Sequence, residues 1–249
     1  MEDSKEIDTH IATATKLDVD EPSSSVDQKL YRGMIGSLLY LTASRPDIVF
    51  SVVLCARFQA NPKKSHLTVV KRTLRYLKGT TNICLWYQKG SNFNLVGYVD
   101  ADYTGFLVDG KSTSGLAHFL SSCLVSWATK KQNFVALSTA EAEYVVVASC
   151  CAQLLWTKQQ LMNFGIDVGC FPIYCDNTSA ISMTKNSIHH KRTNHIDVRH
   201  HFLRDNYEKG LITVKFCATN KQIDDIFTKA LSIYHFERNM LELGMIKIT

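Results

Sequence analysis

The sequence lacks the features of a membrane or secreted protein. No apolar run approaches the roughly eighteen residues that a transmembrane helix needs. The first ten residues, MEDSKEIDTH, are acidic and have neither the basic start nor the apolar stretch of a secretory signal. At 249 residues, with 45% hydrophobic and 20% charged composition, the chain is predicted to be globular, with one sizeable core or two modest ones. We expect no membrane partner.

The eight cysteines include no C-x-x-C pair, so the usual signature of a zinc knuckle or a redox motif is missing. Most of them lie inside apolar runs, which favours reduced thiols over disulfides. We therefore expect an intracellular location, either cytoplasmic or nuclear.

The sequence also lacks the two adjacent acids of the Tyr-x-Asp-Asp turn of reverse transcriptases. In the closest match, YVDAD, an alanine separates Asp100 from Asp102. Because alternate residues of a strand share a face, Asp100 and Asp102 point one way and Leu95, Gly97 and Val99 point the other. The segment predicts a strand that leads into a site, and no nucleotide polymerisation.

Acidic residues are concentrated at the N-terminus. Residues 1–28 contain eight acids and two lysines, so the remaining 221 residues carry a net charge of +11 although the whole chain carries +5. A basic body suits a polyanion such as nucleic acid, but ordinary solubility explains the charge about equally well. We interpret residues 1–28, which are polar and almost without aromatics, as a disordered acidic leader.

Residues 29–90 are predicted to form a helical module of three helices. Pro46 begins the second helix, and Asn61 and Pro62 end it. The third helix places apolar residues on one face and Lys71, Arg72, Arg75 and Lys78 on the other. This basic face could follow a nucleic-acid backbone, although a solvated face is the more common meaning.

Residues 91–232 have the pattern of an α/β domain, and residues 233–249 that of a C-terminal helix and tail. From Asn82 onward, just before this domain, short runs rich in β-forming residues (NICLWYQ, FNLVGYVDAD, SGLAHFLSS and LVSWATKK) predict an antiparallel meander. A long helix at about Ser138–Phe164 follows, then strand FPIYCD, a short helix, a helix around His195–Glu208, strand LITVKFCA and helix NKQIDDIFTKAL. This order predicts a mixed five-stranded sheet flanked by helices.

Four carboxylates lie at the ends of different predicted elements: Asp100, Glu141, Asp176 and Asp224. Each also has a structural explanation. Glu141 follows Ser138 by three residues and can complete a capping box, Asp176 can cap a helix, and Asp100 can belong to a strand-end turn.

The segments that carry these acids resemble the ribonuclease H domain of Ty1/copia-type retrotransposon Pol polyproteins. They are GYVDADYTGFLVDGKSTSGLAHFL, VSWATKKQNFVALSTAEAEY, IYCDNTSAI, HIDVRHHFLRD and NKQIDDIFTKAL. The upstream segments YRGMIGSLLYLTASRPDIVFSVVLCARF and HLTVVKRTLRYLKGT resemble the connection between reverse transcriptase and ribonuclease H in the same polyproteins. The resemblance covers about residues 30–244.

The resemblance implies a ribonuclease H-like fold and a role for each acid. Asp100, Glu141, Asp176 and Asp224 would be the catalytic residues and would hold two magnesium ions, which manganese could replace. The implied reaction is hydrolysis of the RNA strand of an RNA/DNA hybrid, recognised by groove shape and 2′-hydroxyls. The implied protein partner is the reverse transcriptase portion of the same polyprotein. Basic and hydroxyl residues near the site are candidate phosphate contacts: Lys111, Ser112, Thr113, Lys130 and Lys131.

Neighbouring acids at the last element raise the question of which one is the ligand. In a helical NKQIDDIFTKAL, Asp224 would border the buried stripe and Asp225 the solvated one. The family motif also aligns with Ile223 and Asp224. Asp225 would then offset Lys221 or Lys229.

The sequence leaves two alternatives to an active nuclease. His189, His190, His195, His200 and His201 could form a zinc-dependent regulatory module, although their spacing is unlike that of a zinc finger. Cellular ribonucleases H carry a histidine before the last acidic helix, whereas the segment CATNKQI has none. The main rival is a silent remnant that only binds nucleic acid or a protein.

Overall fold

The computed structural model describes residues 4–89, 92–185 and 194–248. It begins with an irregular segment, residues 4–27, that packs on the helical module. Ile11 and Leu17 are buried in its core, and Arg72 of the third helix donates to the Thr9 carbonyl oxygen at 3.1 Å. The prediction of a disordered leader is therefore wrong for residues 4–27. Burial of the apolar side chains of Ile11 and Leu17 stabilises the packed segment although its average composition is acidic.

Three helices form the predicted helical module: α1 (Gln28–Leu41), α2 (Val49–Ala56) and α3 (Lys64–Gly79). The Asp27 side chain caps α1 by accepting from the Leu30 N–H, and a short 3₁₀ turn at Pro46–Ile48 precedes α2. Asp47 in that turn is fully buried and pairs with Arg45 at 2.6 Å. Such a pair keeps its stabilising effect only while both charges remain.

The central sheet has five strands in the order β4-β3-β2-β5-β6. β2 (Leu95–Phe106), β3 (Lys111–Leu120) and β4 (Cys123–Lys131) form an antiparallel meander, while β5 (Phe171–Cys175) and β6 (Ile212–Phe216) add in parallel beside β2. The predicted mixed five-stranded sheet is confirmed. The early run NICLWYQ is not part of it: β1 (Ile83–Leu85) pairs instead with the C-terminal β7 (Met245–Lys247).

One long helix, α4 (Thr139–Asn163), covers one face of the sheet. The helix can approach because Gly97 of β2 has no side chain: a Cβ there would lie 2.4 Å from Cys150 Sγ. Leu95 and Val99, on the same face of β2, are buried in the core with α4, as the alternation predicted. Helices α5 (Thr178–Lys185) and α6 (Asn194–Glu208) pack beside α4.

The other face of the sheet shares a core with the helical module and the C-terminal part. Here the predicted helix NKQIDDIFTKAL is wrong. The segment forms two separate 3₁₀ turns, Thr219–Lys221 and Asp224–Phe227, followed by helix α7 (Ile233–Glu242). Both ends of the Asp224–Phe227 turn are tied to the sheet, because Thr129 donates to the Phe227 carbonyl oxygen and Gln222 donates to the Val99 carbonyl oxygen.

Two expectations about the whole chain are also addressed by the structure. None of the eight cysteines forms a disulfide bond in the structure. Among the described residues, no helix combines the length and the apolar character that a membrane crossing requires.

Candidate active site

Asp100 lies in the middle of the sheet and is 2% exposed. Thr228 donates a short hydrogen bond to its Oδ2, and Lys229 Nζ lies 3.0 Å from its Oδ1. Both partners come from the segment just after the Asp224–Phe227 turn. The carboxylate is thus held from one side by a hydroxyl and an ammonium, which fixes the direction of its oxygens.

The Asp224–Phe227 turn approaches the sheet at Gly115, which lies opposite Asp100 on β3. A Cβ at Gly115 would lie 2.7 Å from Thr228 Cγ2 and 3.1 Å from the Asp224 carbonyl oxygen. Cross-strand partners point to the same face, so a side chain at Gly115 would push the turn away from Asp100. Because Gly115 has no side chain, Asp224 can approach Asp100, although the two acids are far apart in the sequence.

Asp224 is fully buried, and within the described part of the chain no other residue donates a hydrogen bond to either of its carboxylate oxygens. Burial raises the pKa of Asp224 well above its usual value, and the charges of Asp100, Asp225 and Glu143 raise it further. An ionised carboxylate in such a position needs a cation, because burial without a partner costs several kcal/mol.

Glu143 approaches the same cluster from the second turn of α4. Its Oε1 accepts from the Ala101 N–H at 2.8 Å, next to Asp100 on β2. Burial, followed by the Asp100 charge, raises the pKa of Glu143 to about 9, against the lowering effect of the Ala101 hydrogen bond. Glu143 is therefore electrostatically linked to Asp100, Asp224 and Asp176.

Glu141 has a different position from the one expected of a metal ligand. Its Oε2 accepts from the Leu137 N–H at 2.7 Å, and its own N–H donates to Ser138 Oγ at 3.2 Å. Ser138 therefore caps α4 as its position suggested, but the Glu141 side chain bonds the Leu137 N–H, one residue before the Ser138 N–H that the predicted capping box requires. These contacts hold Glu141 at the start of α4, whereas the contact with Ala101 brings Glu143 beside Asp100.

Asp176 directly follows β5 and completes the acidic cluster. Thr219 Oγ1 donates to its Oδ2 at 3.1 Å, which links the first 3₁₀ turn to the end of β5. Three possible ligand atoms lie within 4.8 Å of one another: one carboxylate oxygen of Glu143, one carboxylate oxygen of Asp176 and the Cys175 sulfur. The three predicted aspartates and Glu143 therefore converge, from β2, α4, the end of β5 and the Asp224–Phe227 turn.

Two further acids border this cluster. Asp225 is 16% exposed and pairs with Lys229 at 2.7 Å, as expected for the more solvated member of the Asp224–Asp225 pair. Asp102 is partly buried, and burial followed by the Asp100 charge raises its pKa. Burial lowers the pKa of Lys229, but Asp100 and Asp225 outweigh it and the net shift is upward. Lys229 therefore stays protonated at the edge of the acidic cluster.

The arrangement can accept divalent cations. Its donor atoms are hard carboxylate oxygens, which magnesium and manganese prefer, and they come from four separate elements. The unpartnered oxygens of Asp224 are the observation that fits this use best, because metal coordination would satisfy both charge and lone pairs. Asp100, Glu143, Asp176 and Asp224 are the residues that could hold such ions.

The predicted phosphate contacts are not all accessible. Ser112 and Thr113 are buried, and Thr113 accepts from Arg57 at 3.1 Å. Lys111 and Lys131 pair with Asp109, whereas Lys130 is exposed. Of the five residues, Lys130 keeps the accessibility that a phosphate contact requires.

The histidine cluster falls largely beyond what the structure describes. His189 and His190 lie outside the described residues, and the side chains of His195 and His200 are likewise not described. His201 is exposed on α6. The zinc hypothesis for this cluster stays a prediction.

Sequence reasoning missed Glu143 and the contact of Lys229 with Asp100. Residues two apart on a helix differ by about 200° in direction, so Glu141 and Glu143 cannot both face the sheet. The spacing does not say which of the two faces the sheet, so the choice of Glu143 depends on its contact with Ala101. No sequence feature indicated the contact of Lys229 with Asp100. This contact depends on the 3₁₀ turn at Asp224–Phe227, for which the sequence pattern predicted a helix.

Comparison with known proteins identifies relatives along nearly the whole chain. The Retrovirus-related Pol polyprotein from transposon TNT 1-94 of Nicotiana tabacum is 38% identical over 98% of this chain. The Retrovirus-related Pol polyprotein from transposon RE2 of Arabidopsis thaliana is 36% identical over 98%. The chain spans 19% and 17% of the lengths of these relatives, respectively. No family model matches the chain.

The solved structures to which the chain is similar share little of its sequence. LC11-RNase H1 in complex with an RNA/DNA hybrid has a TM-score of 0.39 and 9% identity, covering 52% of this chain and 88% of that one. The N-terminal RNase H domain of a Mycobacterium tuberculosis protein has a TM-score of 0.40 and 9% identity, covering 60% and 98%.

Proposed function

Because the chain belongs to the copia-type retrovirus-related Pol polyproteins and has a ribonuclease H-like α/β fold, we propose that it hydrolyses the RNA strand of RNA/DNA hybrids. The observation that carries the proposal is the convergence of Asp100, Glu143, Asp176 and Asp224, with the oxygens of Asp224 buried and unpartnered in the described structure. Such a cluster is unfavourable without cations, because like charges about 4 Å apart repel by roughly 4 kcal/mol at an effective dielectric near 20.

Asp100, Glu143, Asp176 and Asp224 would hold two magnesium or manganese ions. When bound, these ions would activate water and stabilise the leaving oxygen of an in-line phosphodiester displacement. Glu143 takes the role that the family resemblance suggested for Glu141.

The protein's own contribution is to orient these ligands before substrate arrives. Thr228 fixes Asp100, the Ala101 N–H fixes Glu143, and Thr219 fixes Asp176. Carboxylates held by hydrogen bonds lose less freedom on coordination, which favours a defined site.

The proposed substrate class rests on charge, because residues 29–249 carry a net charge of +11. A hybrid would be bound through its phosphates and 2′-hydroxyls, with exposed Lys130 beside β4 as one contact. We further propose the reverse transcriptase portion of the polyprotein as a partner, because α1 exposes Leu30 and Tyr40, the latter 84% exposed.

The test uses the full chain with a hybrid whose RNA strand is end-labelled, with magnesium, manganese or a chelator. We expect metal-dependent cleavage of the RNA strand and none with the chelator. Duplex DNA and single-stranded RNA of the same sequence are the controls. Hybrid binding without cleavage by a folded chain would favour the binding-only alternative, and equal cleavage of free RNA would contradict hybrid specificity.

A further inference from the structure

A thiol lies directly beside the acidic cluster. Cys175, the last residue of β5, is fully buried, and its Sγ lies 3.8 Å from Glu143 Oε2. The Asn177 N–H donates to the same sulfur at 3.4 Å, which fixes it at the turn after β5. The hard-ion site proposed above makes no use of this sulfur.

The separation of sulfur and oxygen suits one bound ion. Zinc binds sulfur at about 2.3 Å and carboxylate oxygen at about 2.1 Å in tetrahedral sites, which places two such ligands about 3.6 Å apart. The observed distance is 3.8 Å, and the Asp176 ligand atom lies within 4.8 Å of both others. Small side-chain movements would therefore bring all three atoms onto one ion.

A second observation points to a cation at this place. Asp224 is fully buried with both oxygens unpartnered in the described structure, and its charge acts on Glu143 and on the Cys175 thiol. These buried acids together attract a positive ion to the cluster that the sulfur borders.

We propose that Glu143, Cys175 and Asp176 form a site for a thiophilic divalent ion such as zinc or cadmium. This ion competes with magnesium for the two carboxylates and so inhibits the centre. The inference rests on the proposed hard-ion site. As the metal–sulfur bond forms, the thiol proton leaves to solvent, and no oxidant or reductant takes part. Magnesium itself prefers the oxygen ligands and leaves the thiol protonated.

Cobalt is the probe, since it takes zinc-like geometry and shows sulfur-to-metal charge-transfer absorption. The full chain is stripped of metal, kept in a thiol-free reductant and titrated with Co²⁺. We expect this absorption in the wild type, retained in the exposed-cysteine control Cys170→Ser and lost in Cys175→Ser. Magnesium in excess should weaken cobalt binding by at least about tenfold.

A second variant protects the test against misfolding of Cys175→Ser. Glu143→Gln should weaken cobalt binding by at least about tenfold, because one charged ligand is lost. Three outcomes would each overturn the site. Folded Cys175→Ser could keep the full charge-transfer absorption, or the wild type could bind cobalt without that absorption. Folded Glu143→Gln could also bind cobalt with unchanged affinity.

Hybrid cleavage by the same preparation separates this inference from the proposed function. Loss of cobalt absorption in Cys175→Ser without any magnesium-dependent cleavage by the wild type supports the thiophilic site and refutes the nuclease. Cleavage by the wild type without sulfur-bound cobalt supports the nuclease and refutes the thiophilic site.

Discussion

Lys229 Nζ lies 3.0 Å from Asp100 Oδ1 and 2.7 Å from Asp225 Oδ1, so an ammonium bridges two carboxylates at the rim of the acidic cluster. This ammonium partly neutralises the metal-free cluster and also repels incoming cations. One residue therefore stabilises the free protein and weakens its affinity for metal.

We predict that Lys229→Gln binds manganese roughly tenfold more tightly than the wild type, a gain of about 1.4 kcal/mol, because a nearby positive charge is removed. The metal-free variant should also melt at a lower temperature. Calorimetric titration and thermal unfolding measure the two effects. Lys71→Gln, an exposed lysine of α3, is the control and should change neither. Weaker manganese binding in Lys229→Gln would show that the ammonium supports coordination instead.

The two glutamates at the start of α4 are predicted to have separate roles. Glu143→Gln should reduce hybrid cleavage by roughly 100-fold or more, because a ligand charge is lost while the side-chain size is kept. Glu141→Gln should keep most of the cleavage and lower the free energy of unfolding by about 1 kcal/mol, since its capping contact weakens. Single-turnover cleavage and urea unfolding measure these effects. The opposite ranking of the two variants would restore Glu141 as the ligand.

Much of the sheet was predictable because its signals are local. The strand pattern of β2 to β4 and the apolar length of α4 follow from residue periodicity, and both were confirmed. The ends of these elements already suggested Asp100 and Asp176 as site residues.

The remaining features depend on contacts between residues far apart in sequence. Capping glutamates and metal-binding glutamates look alike in sequence, and only the Ala101 contact separates Glu143 from Glu141. The Asp224–Phe227 segment forms a 3₁₀ turn and not a longer helix, because hydrogen bonds with Val99 of β2 and Thr129 of β4 hold its two ends. The average composition of the N-terminal segment is acidic and polar, so it did not predict the burial of Ile11 and Leu17.

The adjacent acids Asp224 and Asp225 also allow a matched test. Asp224→Asn should abolish most cleavage at limiting magnesium and raise the melting temperature of the metal-free protein, because a buried unpartnered acid becomes neutral. Asp225→Asn should leave cleavage near the wild-type level, since Asp225 is partly exposed and paired with Lys229. Cleavage assays across a magnesium series compare them. Equal losses in both variants would show that Asp225 also binds metal.

His10 predicts how the attachment of the N-terminal segment responds to acid. Its ring lies 4.9 Å from the Phe236 ring and 6.0 Å from the Tyr76 ring, and neither nitrogen has a hydrogen bond in the described structure. Burial lowers the pKa of His10 from 6.5 to about 4; the nearby Asp47 charge raises it and the Arg72 charge lowers it.

A lowered histidine pKa means that the unfolded chain takes up the proton before the folded chain does. The neutral ring therefore contributes its full stability above pH 6.5, and up to about 3 kcal/mol is lost as the pH falls from 6.5 to about 4. We predict that His10→Gln, which cannot titrate, is less stable than the wild type at pH 7.5 because ring packing is lost. The deficit should shrink or reverse at pH 5.

Urea unfolding of both proteins at pH 7.5 and pH 5 measures this difference. The second buried histidine with a lowered pKa, His118, is present in both proteins and contributes equally to their acid sensitivity. Asp47 and Arg72 are also unchanged, so the difference in pH dependence isolates His10. If the two proteins lost the same free energy of unfolding between these pH values, His10 would have to be protonated or solvated in the folded state, and the packing described for the N-terminal segment would be wrong at that residue.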